Sequence, residues 1–462
     1  MLLTVEDVLR LDRSEVRKLY SEYVNPGFIS LLRVLDFDKR FVKAQGVQVW
    51  DQDGNEYLDF LGGYGSLNLG HNPPEVLSVL EEVAQKLPPN ILQAFPNAAA
   101  AALAHNLAEV TPGDLKRCFF CNSGAEAVEA SLKMARAATG KAMILYCEGS
   151  FHGKTLGALS VTGREKYQRP FEPLVPGCFK VPFGDIQALE AKLKLGEAAA
   201  FIVEPVQGEG GVKVPPPGYL KAAEELCHKY QALLIVDEVQ TGFGRTGKLF
   251  ACEHEGVKPD IMCLSKSLGG GVLPIGVCIA TEKVWNAAYG GLDRCLLHTS
   301  TFGGNTLACL AGIAALDAVT SKKLWENAAE LGSYMLNRLK AITAEYPVVK
   351  EVRGKGLLIG IEFQQPSGGL LDRLTAGMIS KAAEEYVGAI VAGELLNRHR
   401  IITAFTLNNP NVIRLEPPLV VTKEQIDRML LALEQVFKER RGLLGLAFSA
   451  ARTAASQLFK GG

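Results

Sequence analysis

Four short apolar runs stand out in the middle of the chain: Ala142-Met-Ile-Leu-Tyr146, Ala200-Phe-Ile-Val203, Ala232-Leu-Leu-Ile-Val236 and Ile261-Met-Cys-Leu264. Longer stretches with helical spacing separate them. Strands alternating with helices predict a mainly parallel sheet covered on both faces. Ligands of such sheets gather beyond the carboxyl ends of the strands, so the residues that follow each run carry the most weight. Glu204-Pro-Val-Gln-Gly-Glu209 follows the second run, Asp237-Glu-Val-Gln240 the third and Ser265-Lys266 the fourth. Acids, amides and one lysine therefore fall at the ligand-binding edge.

The texture changes near Tyr346. Arg353-Gly-Lys-Gly-Leu-Leu-Ile-Gly-Ile-Glu362 reads as a strand pair, and Val412-Ile-Arg-Leu-Glu-Pro-Pro418 as a short strand stopped by prolines. The N-terminal stretch has a polar helical start, then a hairpin pattern from Val47 to Asp59 that turns near Asp53-Gly54. The division predicted is a large domain over residues 71–345, a smaller α+β domain over 346–462, and an N-terminal segment, 1–70, packing with the smaller one. Gly442 to Gly462, with Leu443, Leu444, Leu446, Phe448, Leu458 and Phe459 among small residues, reads as a packing helix.

Composition narrows the ligand class. At 462 residues and 48% hydrophobic the chain exceeds what one core usually serves. A net charge of -1, from 49 basic and 50 acidic side chains, leaves no electrostatic footprint for nucleic acid or an anionic membrane. Small-molecule partners are expected. No apolar stretch reaches bilayer-spanning length. The ten cysteines sit mostly inside apolar runs, and the opening MLLTVEDVLRLDRSE has no signal-type block, so the expected location is the cytoplasm. Cys118-Phe-Phe-Cys121 has metal or redox spacing, but with no second pair it reads as a buried strand, and no metal site is expected.

One motif points elsewhere on its face. Gly242-Phe-Gly244-Arg-Thr-Gly247-Lys248 resembles both a dinucleotide fingerprint and a phosphate-binding loop. The residue after its lysine is Leu249, where a magnesium-binding hydroxyl is required, and Asp237 to Thr241 separate the glycines from the strand end. Nucleotide binding is rejected on that context.

The lysine at the strand end has a different chemistry. A buried lysine escapes the cost of its charge by forming a Schiff base with a carbonyl cofactor, and pyridoxal phosphate is the natural candidate. Its phosphate wants a helix N-terminus, which Phe119-Phe-Cys-Asn122-Ser-Gly-Ala-Glu126 supplies, with the Ser123 hydroxyl alongside. Its pyridine nitrogen wants a carboxylate, and Asp237 closes the third run. Its ring wants a flat partner, offered by Phe151-His-Gly153 after the first run.

These motifs, with Asn122-Ser-Gly-Ala-Glu-Ala-Val-Glu-Ala130, Glu204-Pro-Val-Gln-Gly-Glu-Gly-Gly211, Asp237 through Gly247, Ser265-Lys266 and Ser300-Thr-Phe-Gly-Gly-Asn305, resemble the class III pyridoxal-phosphate aminotransferases. Tyr23-Val-Asn-Pro-Gly-Phe28, Leu61-Gly-Gly-Tyr-Gly65 and the stretch from Thr406 to Pro418 are similar to the putrescine aminotransferases within that class. The resemblance implies the fold-type I architecture, an α/β large domain with a mainly parallel seven-stranded sheet plus a smaller α+β domain. It implies Lys266 as Schiff-base lysine, Asp237 as pyridine-nitrogen partner and Gln240 as donor to the ring oxygen. It places Ser123, Gly124 and Ala125 at the phosphate, Phe151 and Val239 on the two ring faces, and His152 in the cofactor site. Thr301 would reach the phosphate of the neighbouring subunit, implying a homodimer with shared sites, or a tetramer built from it.

For the substrate, Arg414 matches the arginine fork that a 2-oxo acid calls for. Glu209 matches the family's gating glutamate, with Glu204 and Tyr64 as further substrate-side residues. Putrescine or cadaverine is the first expected donor, with 2-oxoglutarate as acceptor. Ornithine comes second, and N-acetylornithine or a broad range of terminal amines third. Aminomutases and racemases, which share the fold and the lysine, form a separate alternative that needs no second substrate.

Overall fold

The computed structural model describes residues 2–91, 94–364 and 378–440. Helices Val5–Arg10, Arg13–Tyr23 and Pro26–Val34 open the chain, with Thr4, Asp12 and Asn25 each accepting a backbone N–H as N-cap. β1 (Phe41–Gln45), β2 (Gln48–Asp51) and β3 (Glu56–Asp59) follow as an antiparallel meander. The predicted hairpin is β2–β3. Asp51 holds its turn by accepting from the backbone N–H of Asp53 at 3.0 Å and of Asn55 at 2.9 Å.

Seven strands then build the central sheet: β4 (Leu115–Cys121), β5 (Met143–Cys147), β6 (Cys178–Val181), β7 (Ala198–Val203), β8 (Leu233–Asp237), β9 (Ile261–Leu264) and β10 (Gly276–Thr281). Their order is β4-β10-β9-β8-β7-β5-β6. The four apolar runs are β5, β7, β8 and β9, which pair parallel to one another. β10 runs antiparallel to both β9 and β4. The link Ser265–Ile275 that precedes it is too short for a parallel crossover, which needs about a dozen residues or more.

Alternation with period two divides each central strand between two cores. Phe201 and Val203 of β7, Leu234 and Val236 of β8, and Met262 and Leu264 of β9 enter one. Ile202, Ile235, Ile261 and Cys263 enter the other, under the helix Gly124–Thr139. Both faces being covered explains why these strands read as unbroken apolar runs.

The C-terminal part adds β11 (Val349–Lys355), β12 (Leu358–Phe363), β13 (Ile401–Ile402), β14 (Ala404–Phe405) and β15 (Val412–Leu415). The expected strand pair is β11–β12, and β15 is the strand that the prolines stop. β11, β12, β15 and β14 form an antiparallel sheet, while β13 pairs parallel with β3 of the N-terminal meander. A third core joins these elements to the helices Thr306–Ser321 and Leu324–Thr343.

Cys118-Phe-Phe-Cys121 lies in β4, and all ten cysteines are free thiols. Among the described residues no helix is long and apolar enough to cross a membrane. The glycine-rich segment after β8 leads into a short 3-10 helix, Ala251–Glu255, instead of a long phosphate-binding helix. The helix expected over Gly442–Gly462 lies outside the described residues.

Candidate active site

The carboxyl ends of β4, β5, β7, β8 and β9 converge on a cavity of about 200 Å³. Gly124, Ala125, Phe151, His152, Glu204, Asp237, Val239, Gln240 and Lys266 all line it. Ser123 lies just below, as N-cap of the helix Gly124–Thr139, its Oγ accepting the Glu126 N–H at 3.2 Å. That capping leaves the N–H groups of Gly124 and Ala125 pointing outward at a helix start, where an anion is favoured. Position 124 admits no side chain: a Cβ there would come within 2.8 Å of Val239 Cγ1.

Lys266 opens a short 3-10 turn with φ of 49°. Of the three glycines that follow, Gly270 and Gly271 are required because the chain presses against its neighbours there. A Cβ at Gly270 would meet Val76 at 2.7 Å, and one at Gly271 would meet Leu67 at 2.4 Å. The ammonium has no hydrogen-bond or ion-pair partner among the described residues. Burial lowers its basicity, opposed by the negative charges of Glu416 and Glu209.

Asp237 is held in two ways. Its Oδ1 accepts the Val239 N–H at 3.0 Å, and its Oδ2 lies 2.7 Å from His152 Nδ1. A carboxylate only accepts, so Nδ1 carries the proton and the carboxylate is fixed in one rotamer. His152, expected as a cofactor residue, thus also acts beneath Asp237. Its Nε2 is buried without a partner.

Glu204 is buried beside this pair, accepting from the N–H groups of Phe151 at 2.9 Å and Gly208 at 3.2 Å. Burial pushes its carboxyl up to about 7, with Asp237 adding to the rise and His152 opposing it. Between its ordinary 4.5 and about 7 the folded protein binds more proton than the unfolded chain. Stability therefore falls as pH rises through that window, by about 3 kcal/mol for this group. Urea melts at about pH 5 and pH 8 should show a smaller fall for Glu204→Gln than for the parent protein. The variant's own cost, one unpaired N–H, is the same at both pH values and drops out.

The residues expected on the substrate side include Glu209 and Arg414, whose charges both act on Lys266. Arg414, on β15, is fully buried and donates from Nη1 to Glu209 Oε1 at 2.7 Å. Its Nη2 has no partner. Glu209 Oε2 accepts the Leu407 N–H at 2.7 Å, and Arg414 with this N–H outweighs burial to hold Glu209 below the usual carboxylate range. The Tyr64 ring covers the guanidinium, with 5.0 Å between Arg414 Cζ and the ring centroid. Thr301 is exposed and does not line this cavity.

Three residues that sequence reasoning left unassigned also shape the site. Glu416 accepts from Gln240 Nε2 with both carboxylate oxygens, which orients the Gln240 amide at the cavity wall. Asn408 Nδ2 donates to the carbonyls of Gly149 and Ser150, fixing the loop before Phe151. Leu407 works through its main chain. Only Glu416 left a signal, two residues from Arg414 and therefore on the same strand face.

A phosphorylated pyridine aldehyde suits these residues. The helix start offers free N–H groups, Asp237 offers a fixed acceptor, Lys266 is unpaired, and Phe151 and Val239 both line the cavity. The class III aminotransferase family profile matches residues 36–437. The chain is 44% identical over 456 residues to a putrescine aminotransferase of Pectobacterium atrosepticum, covering 96% of this chain and 92% of that one. It is 42% identical over 460 residues to the aminotransferase PigE of a Serratia species, covering 92% of this chain but spanning only 54% of that longer protein. The ornithine aminotransferase of Toxoplasma gondii has a similar structure, with a TM-score of 0.82 at 34% identity, over 94% of this chain and 97% of that one. Motif order, strand-end geometry and these likenesses agree: the chain belongs to the class III aminotransferases, whose cofactor is pyridoxal phosphate.

Proposed function

We propose that the protein transfers the terminal amino group of a diamine such as putrescine or cadaverine to 2-oxoglutarate, yielding an aminoaldehyde and glutamate. The observation that carries this reading is the Glu209–Arg414 pair beside Lys266, a carboxylate-binding fork closed by an internal carboxylate. It is supported by the similarity to a putrescine aminotransferase along nearly the whole of both chains.

Pyridoxal phosphate, when bound, supplies the carbonyl that takes up nitrogen and the electron-poor ring that acidifies the substrate carbon. The remaining work falls to this chain. Ser123, Gly124 and Ala125 hold the phosphate, Phe151 and Val239 bracket the ring, and Asp237 keeps its nitrogen protonated. Lys266 carries the proton away from the substrate carbon and returns it, a task for which lowered basicity suits it. Thr301 serves the neighbouring subunit, so the working unit is a cytoplasmic homodimer.

Glu209 decides which substrate fits. Paired with Arg414, it presents a neutral wall to a cationic amine; swung aside, it frees the fork for a carboxylate. In Glu209→Ala the amine half-reaction should slow by at least about tenfold more than the oxo-acid half-reaction. Equal slowing of both in stopped flow would count against the gate.

A donor screen with 2-oxoglutarate tests the whole reading, through glutamate formation and the cyclic imine that an aminoaldehyde forms. Putrescine and cadaverine should turn over fastest. The second reading, ornithine reacting at its side-chain amine, draws on the Toxoplasma gondii likeness and would be adopted if ornithine led. Amine migration without glutamate release would point to an aminomutase.

A further inference from the structure

Glu416 is fully buried, and its position is fixed on several sides. Its Oε2 lies 3.5 Å from Arg414 Nε and its Oε1 lies 3.8 Å from Arg245 Nε. Gln240 Nε2 donates to both oxygens, at 3.0 and 3.2 Å. Gly65 presses on the same group, since a Cβ there would come within 2.5 Å of Oε1. Arg245 is itself pinned, donating to the Leu357 carbonyl at 3.0 Å and to Asn68 Oδ1 at 2.6 Å. Glu416 therefore has nowhere to swing. Arg414 faces one carboxylate that is locked in place and one, Glu209, that sits on the loop between β7 and the helix Tyr219–Lys229.

The consequence is electrostatic. A cationic donor and an anionic acceptor must use this pocket in turn, beside Lys266 and Arg414. Without a fixed negative charge, the closed Glu209–Arg414 pair would only cancel itself and offer a cationic donor no attraction, and a guanidinium released by Glu209 would hold the acceptor too well. A unit charge within about 8 Å in a partly screened site changes affinity by about tenfold or more. Burial lowers the basicity of Lys266, and Glu416 is the foremost of the carboxylates that oppose this, which places its field at the reacting amine.

We propose that Glu416 is a specificity-determining residue that permanently offsets Arg414, favouring cationic amines and restraining dicarboxylates so that both substrates can share one site. This rests on the transaminase reading above. The test compares the parent holoenzyme with Glu416→Gln, using two probes. Glutarate, a dicarboxylate with no oxo group, is titrated by calorimetry; putrescine is followed by stopped flow, with KM and limiting rate separated. Glutarate should bind about tenfold tighter in the variant, and the KM for putrescine should rise about tenfold, opposite shifts that a scaffold role does not produce. Weakening of both probes together, or any result without shifts of opposite sign, overturns the proposal. The double variant Glu416→Gln/Arg245→Gln removes the counter-charge as well and leaves no buried charge stranded. It is read by the same signs, with smaller shifts because the two removed charges partly cancel, should the single variant fail to fold. A parent protein that turns over no amine would defeat the transaminase reading, while the glutarate titration still reports what Glu416 does to Arg414.

Discussion

Lys266→Ala should lose at least about a thousandfold in turnover, because one substitution removes both the covalent tether and the group that moves the proton. The loss should fall on chemistry, not on folding. Lys266 has no partner to strand, and removing a buried cation relieves a desolvation cost. Pyridoxal phosphate should still bind, through the helix start and Asp237, but more weakly and without a covalent link. Single-turnover rates with putrescine, read beside urea melts of the same preparations, separate the two effects. A variant that retained more than about a tenth of parent turnover would remove Lys266 from the reaction.

Asp237→Asn should be the next most damaging change, costing about a hundredfold to a thousandfold in turnover. The amide keeps the shape and can still accept the Val239 N–H, so the fold survives. It cannot hold a proton on the ring nitrogen. Its NH2 would also face His152 Nδ1, driving the imidazole to carry its proton on Nε2, which is buried without a partner. Limiting rates in both half-reactions should fall together, since both need the electron-poor ring. A fall in one half-reaction only would mean that Asp237 acts on substrate and not on cofactor.

Much of this site was legible because the strands that form it are buried on both faces. Their unbroken apolar runs marked where each ended, and the ends carried Glu204, Asp237 and Lys266. The antiparallel course of β10 was harder to see. Gly276-Val-Cys-Ile-Ala-Thr281 looks like its parallel neighbours, and only the length of the preceding link distinguishes it. β6 was hidden for the opposite reason: as an edge strand it leaves Phe179 and Lys180 exposed, so the apolar run is broken.

The contacts that govern the gate were less visible still. Leu407 holds Glu209 through a main-chain N–H, and a main-chain donor leaves no trace in residue identity. His152 meets Asp237 only because β5 and β8 end at the same edge of the sheet. Glu416 reads in sequence as one acid before two prolines. Its meaning depends on Arg245 and Gln240, which arrive from the segment after β8.

Reduction of the purified protein with borohydride, followed by mass spectrometry of its peptides, tests the central claim most directly. A pyridoxyl-phosphate adduct is expected on Lys266 alone, with loss of the visible absorbance and of activity in step. An adduct confined to another lysine, or none after incubation with pyridoxal phosphate, would contradict it.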